Sequence, residues 1–316
     1  MQLHGLHHVT AVTGNPGLNH DFYTRVLGLR LVKKTVNQDD TSAYHLFYAD
    51  KLGSPGTDMT FFDWSMLGAN RRGTDSVANT LFRVHGAAAL EYWVTRLDAE
   101  QIKHEGISPW AGRAALRFDD PEGQRLMLVD DGGAAFEGEI WAAAGVPTEY
   151  AIRGFYGVVL HVPTLDRMAI LLSQVLNLTE LSRHTLPTGE TLLVFGMDGG
   201  GPGREVHVVE VRSGPRATLG RGGVHHVAFR VTDADEQQAW EERLARVGLP
   251  TSGQIDRFYF KSLYFRVSDG ILFELATDGP GFAADESLET LGERLSLPPF
   301  LEPHRAQIEA GLKPIE

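Results

Sequence analysis

The alternation of apolar and polar residues carries the first structural information in this chain. In "GVHHVAFRV" (223–231) the apolar residues Val227, Phe229 and Val231 fall on every second position, the period of a strand with one buried face. The next stretch, "DADEQQAWEERLARVGL" (233–249), changes to helical spacing, with acidic residues at its start and a glycine near its end. Two more β-rich runs then flank Ser268-Asp269-Gly270 in "SLYFRVSDGILFELAT", a hairpin signal. The unit reads βαβββ.

The same phrase opens the chain as "GLHHVTAV" (5–12), and "VANTLFRV" (77–84) and "FYGVVLHV" (155–162) fit its alternation. The positions equivalent to the second histidine are then His8, Asn79, Gly157 and His226, at intervals of 71, 78 and 69 residues. A repeat of this regularity sets the fold class: α+β, with four βαβββ modules. The small-residue-rich stretch "DDGGAAFEGEIWAAAGVPTEY" (130–150) lacks a clean period and places a boundary near residue 148. The expected domains are 1–148, holding modules one and two, and 149–316, holding modules three and four and a tail. From Gly279 on, the tail reads as irregular, with a short helical pattern after Pro298-Pro299, packed on the last module.

Strand parity then sorts the side chains. If Val227, Phe229 and Val231 face the helix, His226 and Ala228 face away. Ile271, Phe273 and Leu275 likewise turn Glu274 away from the helix, and Leu263, Phe265 and Val267 turn Tyr264 to the Glu274 side. In module one the same logic places Val9 and Ala11 on one face and His8 and Thr10 on the other. His8, His226 and Glu274 are thus predicted on the inner faces of equivalent strands. Two histidines and a carboxylate are the ligand set of non-haem iron(II) oxygenases, with positions left open for substrate and oxygen. Thr60 takes the place of Glu274 in module one and is a poor ligand. The corresponding positions of modules two and three, Asn79 with Met127 and Gly157 with His207, assemble no site. A barrel that takes one histidine from each first strand must therefore pair module one with module four.

Composition narrows the remaining chemistry. With 316 residues and 42% apolar composition the chain has material for real cores. The net charge of −12 and the absence of a Lys/Arg block argue against nucleic acid as a partner. No apolar run approaches a membrane span and no basic, apolar leader opens the chain, so no membrane partner is expected and a cytoplasmic location is the default. The sequence has no cysteine, which removes disulfides, thiolate nucleophiles, Cys-ligated zinc and iron–sulfur clusters together. The glycine-rich "GMDGGGPG" (196–203) reads as a hairpin loop, since no helix start follows it, and no G-x-S-x-G elbow exists. His85, His104, His161, His184 and His304 lack partners at ligand spacing and read as structural or solvent-exposed.

"LHHVT", "YHLFYAD", "GSPGT", "HHVAF", "FKSLYFR", "GILFELATD" and "LPPFLEPHR" occur in this order along nearly the whole chain. In these motifs the sequence resembles the vicinal-oxygen-chelate superfamily (glyoxalase/bleomycin resistance/extradiol dioxygenase), and within it the bacterial hydroquinone-type ring-cleaving dioxygenases. The resemblance implies two cupped-sheet barrel domains and a metal triad on His8, His226 and Glu274. It implies iron(II) as cofactor, with manganese(II) fitting the same ligands, and a small dihydroxylated aromatic and O2 as substrates. It also implies a catalytic shell of Thr10, His225, Arg257 and Tyr264, together with His7. Strict alternation turns His7 and His225 away from the site, so their roles need a bulged strand start. His225 is the expected base, because imidazole titrates in the neutral range. A glyoxalase-type lyase or isomerase is the first alternative, opposed by Thr60 at the fourth-ligand position. A metal-free ligand-sequestering protein is the second, opposed by four modules and a complete triad. A homo-oligomer is expected only on general grounds.

Overall fold

The computed structural model describes residues 1–142, 145–267 and 270–315. Each module has the expected order. Module one runs β1 (Leu6–Thr13), α1 (Pro16–Asp21), which continues as a π-turn over Phe22–Val26, then β2 (Arg30–Asn37), β3 (Asp40–Ala49) and β4 (Asp58–Asp63). Module two comprises β5 (Ser76–Val84), α2 (Ala87–Ala99), β6 (His104–Trp110), β7 (Arg113–Asp119) and β8 (Arg125–Asp130). Module three has β9 (Phe155–Val162), α3 (Leu165–Ile170) with a second π-turn at Leu171–Val175, β10 (Thr179–Thr185), β11 (Thr191–Gly196) and β12 (Glu205–Glu210). Module four is β13 (Val224–Val231), α4 (Ala234–Arg246), β14 (Thr251–Asp256), β15 (Lys261–Val267) and β16 (Ile271–Thr277). The hairpin expected at Ser268-Asp269-Gly270 falls largely outside the described residues.

The local causes are visible in α4. The Asp233 side chain accepts from the Glu236 backbone N–H at 2.9 Å, capping the start. Asp235 and Glu236 sit in the first turn, and Arg243 and Arg246 in the last, each matching the helix dipole. Trp240 and Leu244 form the buried stripe, and Gly248, with a left-handed φ of 73°, ends the helix just past Arg246.

The strands assemble into two eight-stranded sheets, ordered β14-β15-β16-β13-β1-β4-β3-β2 and β10-β11-β12-β9-β5-β8-β7-β6. The first sheet therefore joins modules one and four, and the second joins two and three. Each sheet draws one module from either side of residue 148. In both, the first strands of two modules pair antiparallel at the centre, β1 with β13 and β5 with β9, flanked by parallel partners.

Parity holds on both faces. Val227, Phe229, Val231, Leu263, Phe265, Val267, Ile271, Phe273 and Leu275 lie in one large core cluster with Trp93 and Trp240 of the helices. Ala228 belongs to a different cluster on the opposite, concave face, with Phe47, Tyr259 and Phe282. The tail departs from expectation, because it packs on module one as well as module four. Phe282 meets Phe47 and Tyr259, buried Lys33 pairs with Asp285 at 2.7 Å and with Glu286, and the Ser296 N–H donates to the Lys34 carbonyl. A short helix, α5 (Arg305–Gly311), follows.

Candidate metal centre

The central strand pair of the first sheet creates the site. Thr10 of β1 lies opposite His226 of β13, and His8 lies opposite Ala228. Parallel β16 then sets Glu274 beside Ala228. His8, His226 and Glu274 are 3%, 2% and 0% exposed, and one ligand atom of each falls within 4.8 Å of the others. The Nε2 atoms of the two histidines are 3.2 Å apart, and Glu274 Oε2 is 3.2 Å from His8 Nε2 and 2.9 Å from His226 Nε2.

These distances do not describe hydrogen bonds to the carboxylate, for neither Glu274 oxygen has a hydrogen-bond partner among the described residues. Burial alone would raise the Glu274 carboxyl, and the two histidines reverse this and hold it well below the usual carboxylate range. A buried carboxylate without a hydrogen bond is costly unless a cation compensates it. Donor–metal bonds of roughly 2.1 Å put neighbouring ligand atoms roughly 3 Å apart, the spacing seen here. The donor set fits a divalent cation.

A chain of hydrogen bonds sets which nitrogen of His8 faces the centre. His7 is buried, and its desolvation lowers its pKa to about 3, so its ring is neutral. His7 Nε2 lies 3.1 Å from the Thr277 carbonyl, which can only accept, so Nε2 carries the ring proton. His7 Nδ1 must then accept from His8 Nδ1, 3.0 Å away. His8 thereby presents Nε2, its other ring nitrogen, to Glu274. On the other side, His225 Nδ1 sits 2.7 Å from His226 Nδ1 in the equivalent relation. Replacing His7 with Phe is expected to weaken metal binding about 10–100-fold, the usual effect of losing an outer partner of a ligating histidine. Equilibrium dialysis against manganese(II), with circular dichroism as the folding control, measures it.

Bulges bring the first histidine of each pair to this position. The β1–β13 register slips between Leu6 and His8, where His7 is the extra residue, and again between Thr10 and Ala11, where His225 is extra. Ala78 and Tyr156 are the extra residues at the same places in the second sheet. The bulge that the roles of His7 and His225 require is therefore part of the repeat.

Of the remaining candidates, Arg257 and Tyr264 line a narrow pocket against His8 and His226. Arg257 is held by the Asp39 carboxylate at 2.8 and 3.2 Å and lies over the Tyr264 ring, 5.8 Å from its centroid. Burial raises the Tyr264 phenol above its ordinary value, so it stays protonated. Thr10 is fully buried and does not border the pocket; its hydroxyl bonds Thr60, which occupies the place of Glu274 by register. His225 lies behind His226, edge-on to Phe62 and Trp64. Its expected titration in the neutral range does not hold, because burial lowers it to about 3.

The sequence reading missed His45. It lines the pocket and sits with Nε2 3.0 Å from the Thr60 hydroxyl, and burial lowers its pKa well below the ordinary value, leaving it neutral. Parity could have found it, since Tyr44, Leu46 and Tyr48 all belong to the opposite, helix-side core.

Comparison with known proteins follows the same geography. The profile of the Glyoxalase/Bleomycin resistance protein/Dioxygenase superfamily matches residues 5–128 and 156–275. The chain is 46% identical over 316 residues, all of both chains, to "Putative ring-cleaving dioxygenase MhqA" of Bacillus subtilis (strain 168). It is 32% identical over 307 residues, covering 95% of this chain and 93% of the relative, to the chlorohydroquinone/hydroquinone 1,2-dioxygenase of Sphingobium indicum. A crystal structure of a "putative dioxygenase" from Bacillus subtilis superposes with a TM-score of 0.92 at 38% identity, covering 100% of this chain and 98% of that one.

Proposed function

The chain belongs to the Glyoxalase/Bleomycin resistance protein/Dioxygenase superfamily, and on that premise we propose that it is an iron(II)-dependent dioxygenase that opens a hydroquinone-type ring with O2. The observation that carries this reading is the convergence of His8 Nε2, His226 Nε2 and an otherwise unpartnered Glu274 carboxylate beside a narrow pocket lined by Phe62, Arg257, Phe260 and Tyr264. Thr60 stands where a fourth ligand would complete the set of a glyoxalase-type enzyme, and the relatives named above carry dioxygenase names. Iron(II), if held by the three residues, would relay electrons from the aromatic ring to dioxygen and would lower the pKa of a coordinated hydroxyl. Manganese(II) fits the same donors.

The protein's own residues do the rest. Phe62 and Phe260 border the pocket and exclude water from the ring. Arg257 is fixed by Asp39, and with the protonated Tyr264 it directs donors at the negative charge that develops on substrate oxygen during ring opening. His7 and His225 are positioning residues that orient His8 and His226. The acceptor for the substrate hydroxyl proton is His45, the neutral imidazole that itself faces the pocket, since geometry comes before pKa in choosing a base. The Thr60 hydroxyl, itself bonded to the Thr10 hydroxyl, holds that ring in place.

His45→Gln is expected to keep iron and lose about 10²–10⁴-fold in turnover, the usual range for a general base, whereas full turnover would return the base to His225. The reading as a whole is tested by oxygen uptake of the anaerobically iron-loaded protein, given hydroquinone in one chamber and catechol in another. The account expects one O2 consumed per hydroquinone, with loss of aromatic absorbance. Uptake with catechol alone would move the enzyme to the catechol-cleaving group, and silence with both would favour the lyase reading.

A further inference from the structure

A cavity of about 1190 Å³ lies on the second sheet and not at the metal centre. It is bordered by Asn79 and Met127, which stand in modules two and three's sheet where His8 and Thr60 stand in the first. The space is thus the counterpart of the catalytic cup, with an amide in the place of His8 and an apolar side chain in the place of Thr60.

Its walls hold cations short of counter-charge. Arg125 donates Nε to the Ala78 carbonyl, and its terminal nitrogens have neither a hydrogen-bond nor an ion-pair partner among the described residues. Arg117 reaches the Ser108 hydroxyl at 2.6 Å, and its nearest carboxylate, Glu105, is 3.9 Å away and 71% exposed. Burial lowers both guanidiniums. Met127 shares a face of β8 with Arg125 and lies opposite Arg117 on β7, so the two cations flank one apolar spot. His161 makes no hydrogen bond among the described residues, and burial followed by the Arg125 charge lowers it to about 4, leaving a neutral donor beside the cation. The Trp110 indole supplies a flat wall; its Nε1 bonds His207 at 2.9 Å, and Arg117 covers it at 5.1 Å from the ring centroid. Of the acidic residues that border the cavity, Asp119 pairs with Arg72 and stands across the strand from Arg125, Asp120 accepts from Tyr23 and the backbone, and Glu190 accepts from the Thr188 hydroxyl while its charge also reaches His161.

We infer that this second cup binds a small planar organic acid, with its carboxylate on Arg125 and His161 and its flat body against Trp110 and Met127. Desolvated guanidiniums favour a bidentate carboxylate, and an aromatic wall favours an unsaturated body. This site is independent of the ring-cleavage reading.

Isothermal titration of the full chain with benzoate, and with benzamide as its uncharged counterpart, tests the inference. Saturable binding of benzoate is expected, with benzamide at least about 10-fold weaker. Arg125→Gln and Arg117→Gln should each weaken benzoate at least about 10-fold while circular dichroism and oxygen uptake stay at wild-type levels; two variants guard against one that fails to fold. His8→Ala should leave benzoate affinity unchanged. No saturable binding at millimolar benzoate would overturn the inference, as would equal affinity for benzamide. Loss of benzoate binding in His8→Ala, with both arginine variants unaffected, would place the acid in the catalytic cup instead.

Discussion

Glu274→Gln is expected to abolish metal binding at the centre and oxygen uptake with it. The substitution keeps shape and volume but removes the only carboxylate within reach of His8 and His226 among the described residues. Losing an outer partner of a ligand costs about 10–100-fold in affinity, and losing a charged ligand should exceed the upper end of that range. The variant should gain no thermal stability from added iron, whereas wild type is stabilised by it. Calorimetry with and without metal separates these outcomes. A variant that bound iron normally would remove Glu274 from the centre.

The second large effect concerns Arg257 and Tyr264. Arg257→Met and Tyr264→Phe should each retain stoichiometric iron, because neither side chain belongs to the three-atom cluster. Each should lose about 10²–10³-fold in kcat, the usual effect of deleting one donor to a developing oxyanion. The two side chains touch, with the guanidinium 5.8 Å from the ring centroid, and they act on the same charge. The double variant should therefore lose less than the product of the single losses. A rise in KM alone, with kcat unchanged, would mean that they only bind the substrate and do not act on the developing charge.

Much of this arrangement was legible because parity and repetition are simple properties of strands. The apolar residues of β13, β15 and β16 fix one face, and the other face follows without any tertiary information, which is how His8, His226 and Glu274 come to share a cup. The pairing of module one with module four follows from the same step, since parity puts only one histidine of each first strand on that face. What parity cannot register is a bulge. His7 and His225 occupy the wrong phase for the concave face, and only the slips between Leu6 and His8 and between Thr10 and Ala11 turn them toward their neighbours. The titration expected for His225 failed for a related reason: a model-peptide value knows nothing of Phe62 and Trp64 packed on its ring. His45 was hidden differently, lying in a module whose equivalent strands carry no histidine at that place. The tail contacts depend on Lys33, a buried cation whose acidic partners are more than 250 residues away, and no local pattern announces such a pair.

The central claim is that the two ends of the chain hold one metal, and metal stoichiometry of single variants tests it most directly. Wild type, His8→Ala and His226→Ala should be titrated anaerobically with manganese(II) and read by electron paramagnetic resonance. The account predicts one ion bound per wild-type chain and none retained at equal concentration by either variant, although the substitutions lie more than 200 residues apart. Stoichiometric, tightly bound manganese in either variant would contradict it.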